Sequence, residues 1–206
     1  QSHCVLLAHV TTRAPVIQIR LMTRADLPLG MRLKEQAGWN QTEADWLRQL
    51  DLQPAGCFVA EVDGVPRGTA CTCVFGPVAW LATVLVDVEV RRQGIGTALV
   101  KHAVEYLDKR GIRTIRLDAT PLGQSLYERL GFVSQYQLAR YEGLLPPAPP
   151  VDGVTALRPE QFTDILRIDR EVTATDRSKL LIRLFSEQPE AIRAVQQSGR
   201  VAGFMM

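Results

Sequence analysis

The sequence predicts an α/β fold: a mixed, mostly antiparallel central sheet flanked by helices, followed by an incomplete second unit of similar outline. Three observations predict it. Apolar runs of strand length alternate with helix-spaced patterns between Val16 and Glu142. The middle runs are joined by "DGVP" and "GPVA", connectors short enough to force antiparallel neighbours. Beyond a proline-rich stretch, the opening pattern starts again.

Each element has its own signal. "VIQIRLM" (16–22) reads as a strand. "TRAD" (23–26) reads as a capping box for a helix that passes Lys34 and Glu35 and ends near Gly38. Asn40 is the expected cap of a second helix, with Glu43 reaching back to it, and Trp46, Leu47 and Leu50 form its apolar stripe. "CFVAEV" (57–62), "RGTACTCVF" (67–75) and "WLATVLVDVEV" (80–90) make a meander of strands. A glycine corner then opens a helix to about Arg110, which Gly111 stops. "RTIRLDA" (113–119) is read as a strand, "GQSLYERL" (123–130) as a short helix, and "GFVSQYQLARYE" (131–142) as a further strand.

This places a first domain at 16–143, a proline-rich linker at 144–152 and an incomplete copy at 153–206. In the copy, "VTALRPEQFTDILRIDREV" follows the outline of "IQIRLMTRADLPLGMRLKEQ", with Gly199 matching Gly64 and Gly203 matching Gly68. No second glycine corner follows. An unfinished sheet leaves an open edge at "GRVAGFMM", which the first domain, a homodimer through that C-terminal strand edge, or further chain would have to cover.

Composition narrows the function. The 206 residues carry a formal net charge of +2, and no long basic run points to nucleic acid. No apolar stretch reaches the ~18–20 residues of a membrane helix, and the first twenty residues lack a basic leader, so a cytoplasmic location and no membrane partner are expected. Cys4, Cys57, Cys71 and Cys73 have no zinc spacing, and His3, His9 and His102 form no constellation, so no metal is expected. The thiols read as buried and unreactive.

The chemistry centres on "VLVDVEVRRQGIGTALV" (84–100). A strand leading through glycines into a helix N-terminus is an anion seat, because the helix dipole and unpaired amides favour phosphate. No Lys-Ser/Thr follows the glycines, which excludes a P-loop. The meander before them and the absence of G-x-G-x-x-G exclude a dinucleotide-binding βαβ unit.

Together with "LYERLGF" (126–132), this corner resembles the GNAT superfamily of N-acetyltransferases, whose acyl-CoA loop R/Q-x-x-G-x-G/A aligns with Arg91 to Gly96. The segment from "AGWNQTEADW" onward is similar to a bacterial subgroup with an additional, GNAT-like C-terminal domain. The resemblance implies acetyl-CoA as acyl donor and a small-molecule or protein amine as acceptor, joined by direct attack in a ternary complex. It places Arg91, Arg92, Gln93, Gly94, Ile95, Gly96 and Thr97 at the pyrophosphate. Backbone groups of Leu85, Val86 and Val88 would pair with the pantetheine arm, provided that the strand splays from its parallel neighbour. Tyr127 falls where many relatives protonate the leaving thiolate. Thr120 stands where many carry Asn, and Ser125 is a further contact to CoA. For the base, Asp87, Glu89 and Asp118 lie near the slot, with Asp118 assigned alongside Tyr127. Trp39, Glu43 and Trp46 fall in the region that walls the acceptor pocket. The alternative reading is a non-catalytic acyl-CoA-binding or sensing module.

Overall fold

The computed structural model describes residues 15–139, 141, 143–144, 149, 151–197 and 199–206. The N-terminal residues Cys4, His3 and His9, and linker residues Pro146, Pro147 and Pro150, lie outside them.

A five-stranded sheet forms the first unit in the order β1 (Ile17–Leu21), β2 (Cys57–Val62), β3 (Val65–Phe75), β4 (Val78–Val86) and β5 (Thr114–Arg116). All neighbours are antiparallel except β4 and β5, which run parallel. The β2–β3 turn is Asp63-Gly64, both with positive φ (50° and 80°), the geometry that matches the right-handed twist of a hairpin. Alternation sorts the side chains onto two faces. Cys57, Val59, Cys71 and Leu85 pack under α1 (Leu27–Gln36) and α2 (Glu43–Leu52). Phe58, Ala60, Val62, Ala70 and Leu81 pack under α3 (Ile95–Asp108), with α4 (Pro121–Arg129) beside it.

Several expectations are corrected. The capping box at Thr23 and Asp26 opens a short 3₁₀ turn, Arg24–Asp26, and α1 follows at Leu27. The second helix starts later than Asn40 suggested. Thr42 is its cap and Asp45 reaches back to the Thr42 amide at 2.7 Å, because Glu43 sits at the first helical position, too near to do so. The strand expected over 113–119 pairs with β4 only at 114–116. The strand expected over 131–142 is absent among its described residues, where Val133, Tyr136, Leu138 and Tyr141 are exposed. Three paired residues in β5 offer too short a ladder for a neighbour, and strand propensity acts only through such a neighbour.

The second unit runs β6 (Val154–Ala156), α5 (Phe162–Thr173), α6 (Ser178–Glu187), β7 (Arg193–Gln197) and β8 (Arg200–Met205), with sheet order β6-β7-β8. Its core is Leu157, Ile165, Leu181, Ile192, Ala194 and Val201. Among the described residues nothing pairs the outer edge of β8. The units meet where α6 lies along α2. Arg48 bonds Glu187 at 2.5 Å, Arg183 bonds Asp51 at 3.2 Å, and the buried Thr175 hydroxyl donates to the Phe75 carbonyl at 2.6 Å.

Candidate active site

The site begins with a defect in the sheet. Thr69 faces Leu85 but Cys71 faces Ala82, so β4 spends one extra residue against β3. Thr83 absorbs it with a φ of 48°, unusual for a β-branched residue. Two bonds hold the distortion. The Thr69 hydroxyl donates to the Thr83 carbonyl at 2.9 Å, and the Thr83 hydroxyl donates to Gln49 Oε1 at 3.0 Å. β4 pairs β5 only through Val78, Ala79 and Trp80. From Leu81 to Val86 its far edge is therefore open, and the two strands diverge into a slot.

The slot is closed at one end by the glycine corner. Gly94 caps α3 with φ of 84°, a left-handed conformation that costs an L-residue about 1–2 kcal/mol. The amides of Ile95, Gly96 and Thr97 open the helix and have no intrahelical acceptor. A Cβ on Gly96 would sit 3.5 Å from Leu126 and 3.7 Å from Val86, so this glycine lies on the floor between β4 and α4.

The opposite wall is α4. Thr120 is its N-cap residue and Tyr127 lies toward its end. A Cβ on Gly123 would lie 3.1 Å from the Tyr127 ring and 3.6 Å from Thr120 Oγ1. Gly123 thus leaves room for the ring to fold back along the helix, where it meets Phe132 edge-on at 5.8 Å. Burial pushes the Tyr127 phenol up to about 12. At neutral pH it is a protonated donor.

The resulting cleft has a volume of ≈ 670 Å³. Of the site residues named from the sequence, Leu85, Val86, Arg91, Arg92, Gly94, Ile95, Gly96, Thr97, Thr120, Ser125, Tyr127 and Asp118 all line it. Two expected residues do not. Gln93 is exposed on the corner away from the lining. Val88 belongs to a 3₁₀ turn, Val88–Val90, and its amide donates to Gln36 Oε1 at 3.1 Å, because β4 ends at Val86. Arg91 serves the strand end, donating from Nε to the Val86 carbonyl at 3.0 Å.

The carboxylates separate clearly. Asp87 is fully buried and bonds Arg32, Arg67 at 2.9 Å and Gln36 at 3.2 Å. Burial alone would raise its carboxyl, but the bonds from Arg67 and Arg32 outweigh that and hold it well below the usual carboxylate range. It is a structural anion. Glu89 pairs with Arg67 at 2.7 Å and lies off the cleft. Asp118 is exposed at the mouth. Glu43 is exposed on α2 and Trp46 is completely buried in the core, so neither walls the cleft. Trp39 does, together with Gln36 and Ala37 at the end of α1.

Sequence reasoning missed Gln36, Gly123, Leu122 and Arg129. For Gly123 the spacing to Tyr127, one helical turn, was the available signal. The Gln36 bridge joins elements far apart in sequence and leaves no local pattern. Among the described residues no group of side chains could hold a metal ion. Cys57, Cys71 and Cys73 are free; the hydrogen bond to Cys71 and burial push the Cys57 thiol far up, which removes it as a nucleophile.

Residues 26–132 match the family model for the acetyltransferase (GNAT) family. An uncharacterized N-acetyltransferase of Bacillus subtilis is 30% identical over 84% of this chain, which spans 62% of that relative's length. An acetyltransferase structure from Pyrococcus horikoshii superposes with a TM-score of 0.73 at 24% identity, covering 94% of this chain and 68% of that one. An aminoglycoside N-acetyltransferase in complex with CoA gives 0.51 at 23% identity, covering 65% and 99%. At these identities the structural likeness speaks to the fold alone.

Proposed function

The chain belongs to the acetyltransferase (GNAT) family, and we propose that it transfers an acetyl group from acetyl-CoA to a primary amine by direct attack in a ternary complex. One observation carries the reading: a single cleft joins an open strand edge, unpaired amides at a helix N-terminus and a half-buried, protonated tyrosine.

Each part has a task. The amides of Ile95, Gly96 and Thr97 receive the pyrophosphate, where the helix dipole favours negative charge. The open edge of β4 at Leu85 and Val86 pairs with the amide-bearing pantetheine arm as a strand would. Arg92, at the corner with a φ of 67°, adds charge near the phosphates, and Thr120 and Ser125 contact the donor from the α4 side. The amine nitrogen then attacks the thioester carbonyl carbon. The tetrahedral adduct collapses by breaking the C–S bond, and the electron pair leaves on sulfur. Tyr127 gives its phenolic proton to that sulfur and regains one from solvent. The proton lost by the amine passes to water, with Asp118 at the mouth to relay it.

A phenol near 12 is a weak donor to a thiolate whose acid form ionises around 8.5 in water. The same desolvation that raises the phenol also raises a thiol bound beside it, which narrows the gap. The free thiols and the intracellular acyl donor support a cytoplasmic location.

Tyr127→Phe is the test. The expected result is a kcat lowered about 10²–10⁴-fold with the affinity for acetyl-CoA retained. With the phenol pushed up to about 12, no alkaline loss of activity from this group is expected below about pH 11 in the wild type. An unchanged kcat removes Tyr127 from the chemistry. Acetyl-CoA binding by the wild type without turnover on any amine would favour a binding module over a transferase.

A further inference from the structure

We propose that Gln49, which lies outside the cleft, is a positioning residue for the acyl donor: it holds the bulge that turns the edge of β4 toward the pantetheine arm. The proposal rests on the donor placement given above.

A left-handed conformation disfavours every L-residue, and a β-branched one most. Thr83 keeps it, with a φ of 48°, buried inside the sheet. What the bulge achieves is a change of phase. Leu81 packs under α3, but Leu85 packs under α1 and α2, although the two are an even number of residues apart. Regular alternation would put them on one face. The backbone changes phase with the side chains. The Asp87 amide bonds the Arg67 carbonyl at 2.8 Å on the β3 side, so the peptide groups of Val86 face the open side, where Arg91 Nε meets the carbonyl. If Thr83 relaxed to an extended conformation, a one-residue slip would turn these groups away from the slot.

Two side chains oppose that slip. The completely buried Thr69 hydroxyl holds the Thr83 carbonyl from within the sheet. Gln49 Oε1 takes the Thr83 hydroxyl from α2. Gln49 does not line the cleft, so it reaches the donor only through Thr83.

The second unit serves as an internal control. Gln49 and Leu184 are equivalent, because their carbonyls accept the amides of Gln53 and Gln188, each at 3.0 Å. Thr69 follows Gly68 in the first hairpin as Phe204 follows Gly203 in the second. Both polar residues are therefore replaced by apolar ones in the unit whose described sheet has three strands and no bulged fourth. The repeated scaffold needs neither the glutamine nor the threonine; the bulge does.

The donor has two halves that separate this role from general stability. ADP carries the pyrophosphate that seats at the corner and lacks the arm that lies along the bulged edge. The full chain is titrated calorimetrically with acetyl-CoA and with ADP. Gln49→Leu is expected to weaken acetyl-CoA about five- to tenfold, the worth of one hydrogen bond, and ADP by less than about twofold. A general loss of folded protein would affect both ligands alike. Glycine adopts a left-handed φ freely, so in a Thr83→Gly background the same Gln49→Leu change is expected to alter acetyl-CoA affinity by less than about twofold. Thr69→Val is expected to give the same selective loss, and it carries the test if Gln49→Leu does not fold. Equal weakening of the two ligands, unchanged acetyl-CoA affinity, or an undiminished effect in the glycine background overturns this inference and leaves the transferase reading standing. A wild type that binds neither ligand overturns both.

Discussion

The two halves of the chain share a scaffold and differ in what they add to it. β1–α1–α2–β2–β3 and β6–α5–α6–β7–β8 match element for element, with one constant offset in sequence. The Thr23 amide donates to the Asp26 carboxylate as the Arg158 amide donates to Gln161 Oε1. Gln53 and Gln188 end their helices in nearly the same conformation, φ −149° and ψ 65° against φ −143° and ψ 61°. Both hairpins slip register at the same place, after Ala60↔Gly68 and after Val195↔Gly203. The first unit continues into the bulged β4 and the glycine corner. The described residues of the second hold nothing comparable. The lesson is a division of labour: the repeated scaffold builds a wall, and the cleft exists only where β4 leaves β5.

The core tests whether the match is more than topological. A Cβ on Gly30 would lie 2.8 Å from the Trp46 ring, whereas the equivalent pair in the second unit is Ile165 and Leu181, both buried. One unit places the bulk on α2 and none on α1; the other shares it. Gly30→Ile alone is expected to overpack by about 1–3 kcal/mol, and Trp46→Leu alone to lose about 2–3 kcal/mol to a void, less than a full truncation to Ala. The double variant reproduces the second unit's solution. Its cost in urea unfolding is expected to fall at least ~1 kcal/mol short of the sum. Strict additivity would mean that the two cores are not interchangeable.

Glycines at equivalent strain separate scaffold from site. Gly94 (φ 84°) and Gly199 (φ 76°) both adopt the left-handed conformation, and a Cβ on either would meet nothing within 4 Å. Alanine at either position is therefore expected to cost a similar ~1–2 kcal/mol through the backbone alone. The two should part in calorimetric titration. Gly94→Ala is expected to weaken acetyl-CoA about tenfold, since it reshapes the amides proposed to seat the pyrophosphate. Gly199→Ala leaves affinity unchanged, with one acetyl-CoA per chain in both wild type and variant. Equal weakening by both would move the donor site away from the corner.

What the sequence revealed follows from the same division. The corner, the meander and the repeat were legible because each is local: Gly94 and Gly96 fix a backbone path, Asp63-Gly64 fixes a turn, and period-two alternation fixes a face. The expectation for Tyr127 came from resemblance, and its side chain lines the cleft. Asp87 could not be told from the other carboxylates near the slot by sequence, because its partners Arg32 and Arg67 come from elements that only the fold brings together. Val88 was misread as strand because its apolar character says nothing of the Gln36 side chain that takes its amide. The strand expected over 131–142 failed for a related reason. Tyr136 and Leu138 alternate correctly, but a strand needs a neighbour, and β5 offers three residues.

The smallest expected effect concerns how the units hold each other. Thr175 lies in the turn between α5 and α6, is buried, and donates its hydroxyl to the Phe75 carbonyl in the β3–β4 hairpin. Lys179, on α6, stands over the Phe75 ring at 5.2 Å and donates to Gln53 Oε1 at 3.1 Å. The surrounding ion pairs, Arg48–Glu187 and Arg183–Asp51, are partly exposed and so contribute little each. Thr175→Val keeps the shape and removes one buried hydrogen bond, at a cost of about 1 kcal/mol, or about 2–4 °C in melting temperature for a chain of this size. Hydrogen exchange should quicken in α6 and at the β3–β4 turn, while acetyl-CoA affinity holds, since the cleft lies on the far part of β4. If affinity falls in step with the lost stability, the second unit does more than brace the first, and the separation drawn between scaffold and site does not hold.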